Sequence, residues 1–178
     1  SVTGVFHIHD VAEYMRGGLW NISFTPVPPP PVTSGLIAWY TVGSVSGTTW
    51  GDLSGSGNNA TLSASSTPTV VATSGNGSTG ITQALQGSTA STVTFPSGVL
   101  PATYTMFHVA RYTGTTNQRI IQGTAQNWLS GFWGGLSGVA YHNGWITQNS
   151  TSVHGTNWVI STDQNSLYRS NGVNRTTG

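Results

Sequence analysis

Cysteine and lysine are absent from this chain of 178 residues, and acids nearly so: Asp10, Glu13, Asp52 and Asp163 are the whole acidic complement. Without cysteine there is no disulfide, no thiolate metal site and no thiol nucleophile. The five arginines are scattered and the formal net charge is +1. Counterion release from nucleic acid and attraction to anionic lipid therefore have little to act through, and neither partner is expected. No apolar stretch approaches the about 20 residues that cross a bilayer, so no membrane insertion is expected. No signal peptide opens the sequence, and Ser1 reads as the start of a processed product.

What takes the place of charge is hydroxyl and amide. Charged residues are 5% of the chain, whereas Ser and Thr together number 49, beside 24 Gly and 12 Asn. That usage favours strands and turns over helices. Aromatic residues at 10% of the chain supply enough bulk for a packed core, the opposite of a disordered composition. The length suits one domain plus a short appendage. Five Asn-x-Ser/Thr sequons begin at Asn21, Asn59, Asn76, Asn149 and Asn174, candidate glycosylation sites if the chain passes through a secretory route. Low charge and a hydroxyl-rich face suit an extracellular or particle surface.

Three segments follow from the order of residues. In the first, residues 1–25, Val5 to His9 alternate apolar and imidazole side chains. Asp10 then stands as the cap of a short helix over residues 11–16, with Glu13 in the capping-box position and Gly17 and Gly18 as the stop. Leu19, Trp20, Ile22 and Phe24, interleaved with Asn21, Ser23 and Thr25, form a one-sided strand. Residues 26–34, with five of the eight prolines, make a semi-rigid spacer. From Gly35 to Gly178 short apolar runs recur between Gly, Asn and Ser clusters with no helical period, an all-β pattern.

Strands are expected over residues 69–72, 82–86 and 91–95, with 104–111 and the run around Ile120 and Ile121 as central strands, apolar on both faces. Asn143-Gly144 and Asn171-Gly172 are expected to form type I′ hairpins. The first would set His142 across from Trp145, and the second Tyr168 across from Arg175. Asn76-Gly77 lies in a loop with poorer flanks.

The apolar opening over residues 36–40, the Asp52 to Gly57 loop, the strand over 104–111, and Trp158 to Ile160 followed by Leu167, Tyr168, Asn171 and Gly172 resemble the concanavalin A-like, laminin-G-type jelly roll. The resemblance implies a two-sheet antiparallel sandwich over residues 35–178, carrying a short N-terminal arm with one small helix. It implies a binding or structural module, and one calcium ion for which Asp52 and the carbonyls of residues 55–58 are the candidate ligands. Family members usually continue for two or three strands after the last hairpin. Either strands beyond Gly178 close the sheet or another segment fills the open edge. The arm, through Leu19, Trp20, Ile22 and Phe24, is the natural donor, within one chain or between copies. Arm, spacer and jelly roll together look like virion-surface or microbial envelope proteins.

Catalysis finds little to use. Glucan hydrolases of this fold carry Glu-x-Asp-x-x-Glu on one strand, and this chain has no such strand. Asp52 and Asp163 read as loop and turn residues. There is no Gly-x-Ser-x-Gly elbow. His7 and His9 with Asp10 make half a metal site and read as a strand face leading into a cap. His108 reads as a core histidine, Trp39 and Trp158 as packing, and Trp50 as either core or loop.

A sugar site needs an aromatic plate for a ring face and amides for its edges. The candidates are Trp133, Tyr141, His142, Asn143 and Trp145, in or beside a Gly-rich pair of strands with Trp128, Phe132, Asn127 and Gln148 close by. The first expectation is a non-catalytic adhesion module that binds carbohydrate. The alternative is a self-assembling subunit of a filament or virus particle, a homo-oligomer or polymer, and a glycoside hydrolase comes third. Glycans or sister copies are the expected partners, with no cofactor beyond the calcium candidate.

Overall fold

In a computed structural model, Thr3–Phe6, residues 33–115 and residues 117–177 are described. The described chain is all-β, with 42% of residues in strands and no helix of seven or more residues. The strands in chain order are β1 (Thr3–Phe6), β2 (Leu36–Tyr40), β3 (Val45–Ser46), β4 (Thr49–Trp50), β5 (Ala60–Leu62), β6 (Thr69–Thr73), β7 (Thr82–Gln86) and β8 (Val93–Thr94). They continue as β9 (Thr105–Ala110), β10 (Ile121–Gln122), β11 (Trp128–Trp133), β12 (Leu136–His142), β13 (Val159–Gln164), β14 (Leu167–Ser170) and β15 (Val173–Asn174). The arm's expected helix over residues 11–16, the strand through Leu19, Trp20, Ile22 and Phe24, Asn21, and most of the spacer lie outside the described residues.

Four sheets form. The largest has six strands in the order β15-β14-β13-β9-β1-β2, and a second has β10-β11-β12. A four-stranded sheet, β3-β4-β5-β8, and a ribbon, β6-β7, complete the set. The three-stranded sheet lies over β9, β13 and β14 of the six-stranded one. His108 of β9 bonds Ser130 of β11 at 3.0 Å, and Tyr112 meets Phe132 edge-on at 5.0 Å. The interface holds Phe132, Val159 and Tyr168, each 0% exposed, and each such apolar side chain is worth about 1.5–3 kcal/mol of burial. A second core gathers Ala38, Tyr40, Trp50, Ala60 and Leu62, with Phe95 packed against it. Trp50 is thus core, 8% exposed, and its indole N–H donates to the Thr41 carbonyl.

β1 runs parallel to both its neighbours, Val5 pairing with Trp39 of β2 and with Phe107 of β9. A strand from the N-terminal arm therefore fills the place between β2 and β9, in a sheet whose other pairings are antiparallel. The register of the Asn171-Gly172 hairpin is the one expected. Both turn residues take positive φ, 48° and 79°, Ser170 faces Val173, and the Arg175 amide donates to the Tyr168 carbonyl.

Three expectations are corrected. In the Asn143-Gly144 hairpin only Asn143 takes positive φ, at 54°, so the turn is not type I′. Trp145 consequently faces Tyr141 rather than His142. Asp163 sits inside β13, fully buried, and not in a turn. Gln164 pairs with Leu167, so the turn falls at Asn165 and Ser166, where the Asn165 side chain bonds the Tyr104 amide and the Ala102 carbonyl. Third, the run at Ile120 and Ile121 is an edge: β10 has two residues and pairs only with β11, leaving Ile120 42% exposed.

Candidate functional site

Alternation along β11 and β12 sorts their side chains between two faces. Trp128 pairs with His142, and Ser130 with Ala140. Ser130 and His142 reach β9 and β13, so this face looks inward. Leu129 pairs with Tyr141 on the other face. There a cleft of about 250 Å³ is lined by Arg119, Asn127, Leu129, Trp133, Tyr141, Trp145 and Asn149.

Trp145 is its hub. Its ring meets Tyr141 edge-on at 5.2 Å and Trp133 edge-on at 5.3 Å, an arrangement that suits the ring quadrupoles and fixes all three planes. Trp133 remains 38% exposed. It stands at the end of β11, where a tight two-residue turn at Gly134 and Gly135, φ 55° and 89°, reverses the chain into β12. Asn127 and Asn149 bring amides to the rim, and the Arg119 guanidinium donates to the Asn127 side-chain carbonyl at 2.9 Å.

Of the candidate sugar-binding residues, the structure thus brings Trp133, Tyr141 and Trp145 together. Asn143 is at the exposed hairpin tip, its amide on the Asn127 carbonyl and its side chain toward Gln126. His142 points inward, stacked on Trp128 with ring centroids 5.5 Å apart. Arg119 enters the cleft from a loop and has no local signature, since only the pairing of β10 with β11 brings it to Asn127. The Gly134-Gly135 turn was not among the expected hairpins, although Gly-Gly between apolar runs is its signal.

Beneath the cleft lies a buried polar network. His142 Nε2 is 3.1 Å from the Asp163 carboxylate, and Nδ1 is 3.1 Å from the Asn165 carbonyl. Both partners accept, so protonation of the ring is what lets both nitrogens donate, and it leaves no lone pair for a base. Burial pulls the His142 pKa down, but the hydrogen bond and charge of Asp163, aided by the Asn165 carbonyl, outweigh it, and the value stands above the usual 6.5. Trp128 donates to the Tyr104 hydroxyl at 2.9 Å, and that hydroxyl donates to Asp163 at 3.3 Å. Burial, and then the Asp163 charge, raise the Tyr104 pKa.

Two serine–histidine contacts involve buried serines. His108, 2% exposed, meets Ser130, and burial drops its pKa to about 3. Ser170, 0% exposed, lies 2.8 Å from His154 and takes a hydrogen bond from Arg175. A serine so covered is beyond a substrate's reach.

Asp52 accepts from the Trp39, Ser54 and Asn58 amides and the Ser54 hydroxyl, at 2.8–2.9 Å. Four donors fill the sites of two carboxylate oxygens, so a calcium ion there would have to displace them. Burial raises its pKa, but these hydrogen bonds prevail and hold it below 3.8. Among the described residues no three His, Asp or Glu side chains converge. Arg111 stacks over Trp158 at 5.3 Å. Of the described sequons, Asn59, Asn149 and Asn174 are exposed and Asn76 is half-buried, with Asn149 on the cleft itself.

No family model, curated protein or solved structure matches the chain.

Proposed function

We propose that the chain is a non-catalytic surface module, a jelly-roll sandwich of concanavalin A-like type, that binds carbohydrate in the cleft of Trp133, Tyr141 and Trp145. The observation that carries this reading is the convergence of those three rings with two asparagine amides around one open hollow. Its volume, about 250 Å³, lies just under the roughly 300–1,000 Å³ of drug-sized pockets and suits a single sugar ring. The flat indole faces complement sugar C–H groups, and the amides complement hydroxyls. Such a module belongs on an extracellular or particle surface.

A glycan array probed with the protein and with Trp145→Ala tests this. Loss of the hub ring should weaken binding at least about tenfold, near 1.4 kcal/mol, with far-ultraviolet circular dichroism unchanged. Binding that survives Trp145→Ala sinks the reading, as does an array on which nothing is retained.

A second reading, assembly between copies, is favoured by the parallel insertion of β1 between β2 and β9. A strand delivered from an arm can be exchanged between chains without new contacts. Hydrolysis has the least support: Asp52 is enclosed by loop donors and Asp163 is committed to His142 and Tyr104.

A further inference from the structure

We infer that the sugar taken by this cleft is acidic, its carboxylate or sulfate group held by Arg119. The inference rests on the carbohydrate reading of the cleft and adds the charge of the ligand. Arg119 is always protonated, yet its recorded hydrogen bond goes to a neutral amide, Asn127. Among the described residues the single ion pair is His142 with Asp163. The other described acid, Asp52, is enclosed by the Trp39, Ser54 and Asn58 donors. Among the described residues no carboxylate lines the cleft. The guanidinium is therefore a fixed cation beside three aromatic rings, with no carboxylate of the described residues beside it.

Its bond to Asn127 holds one nitrogen, Nη2, against the rim, and the remaining N–H groups stay available for an oxyanion. A guanidinium presents paired donors that match a carboxylate or a sulfate, and such charge-assisted bonds are about twice as strong as neutral ones. A neutral sugar would stack on Trp145 and leave this charge unanswered. An acidic one satisfies both features in one pose.

Calorimetry with matched sugars tests the inference: methyl glucuronide against methyl glucoside, sialyllactose against lactose, and a sulfated against an unsulfated galactoside. Acidic members should bind at least about tenfold tighter, and the advantage should shrink as salt screens the pair. The carboxylate and sulfate arms show which oxyanion is preferred, and either supports the inference. Arg119→Gln should erase the acidic preference, so that the acidic and neutral members of each pair bind alike. Arg119→Lys, which keeps the charge and loses the fork, should retain part of it. Equal affinity for acidic and neutral partners overturns the inference, as does a preference that survives Arg119→Gln. If neutral sugars bind in a Trp145-dependent way without acidic preference, only the charge assignment fails. If no sugar of either kind binds, the carbohydrate reading fails with it.

Discussion

His142 on β12 and His108 on β9 lie on facing sheets and their pKa values move in opposite directions on folding, because only one of them has an acid for a neighbour. His142 donates to Asp163 and to the Asn165 carbonyl, whereas His108 has Ser130 on one nitrogen and no partner recorded on the other. The signs of their contributions to stability differ accordingly. The His142 pKa is raised on folding, so its contribution is complete below 6.5 and is lost as pH climbs through the folded value. The His108 pKa falls to about 3, so the unfolded chain gains a proton near 6.5 that the folded chain refuses. Stability then declines as pH drops from 6.5 towards 3, by up to about 1.4 kcal/mol per unit. His154, lowered by burial and by Arg175, adds to the same acidic limb. Melting temperature plotted against pH should peak near 6.5. In His142→Gln the decline between pH 6.5 and roughly 9, below the range where the buried tyrosines contribute, should vanish, and a limb that persists there in this variant would show that the buried pair is not its source.

At the scale of elements, the pairing of β11 with β12 places the cleft, and a bulge tunes it. Gly131 faces Val139 and Phe132 faces Ser137, which leaves Gly138 as an extra residue. Gly131 takes φ +87°, and a Cβ on it would stand 2.8 Å from the His108 ring and 3.2 Å from Ser161. Gly131→Ala combines an unfavourable backbone with an overlap against buried groups. It should cost about 2–3 kcal/mol in urea unfolding. A loss under 0.5 kcal/mol would mean that β11 does not approach β9 this closely. The same pairing explains the shift at Asn143: a turn with one left-handed residue moves Trp145 by one register position, and that single step carries it from His142 to Tyr141.

At the scale of the whole molecule, the arm and the sheet depend on each other. β2 and β9 are neighbours only through β1, so removing β1 exposes two strand edges at once, and exposed edges recruit other chains. Deleting residues 1–6, or introducing Val5→Pro to remove a ladder donor, should lower the melting temperature and produce concentration-dependent species in size-exclusion chromatography with light scattering. A truncated protein that stays monomeric and keeps its melting temperature would contradict the insertion of β1. In the intact chain, mixed populations of two tagged copies distinguish closure within a chain from exchange between chains.

Composition by itself determined that the described chain is all-β and that hydroxyls and amides make most of its polar contact with water, because strand and turn preferences are local and only 5% of the chain is charged. Local chemistry also gave the Asn171-Gly172 turn, whose two left-handed residues are a property of the dipeptide. Trp133, Tyr141 and Trp145 were legible as a cluster because they fall in one short stretch of sequence with two turns between them. Only the tertiary structure decided which way Asp163 and His142 point, since burial between sheets depends on register and not on residue type. Arg119 at the rim and β1 between β2 and β9 were likewise tertiary outcomes. Pairings between distant segments are selected by the packing of the sheets as a whole, and no window of sequence contains both partners.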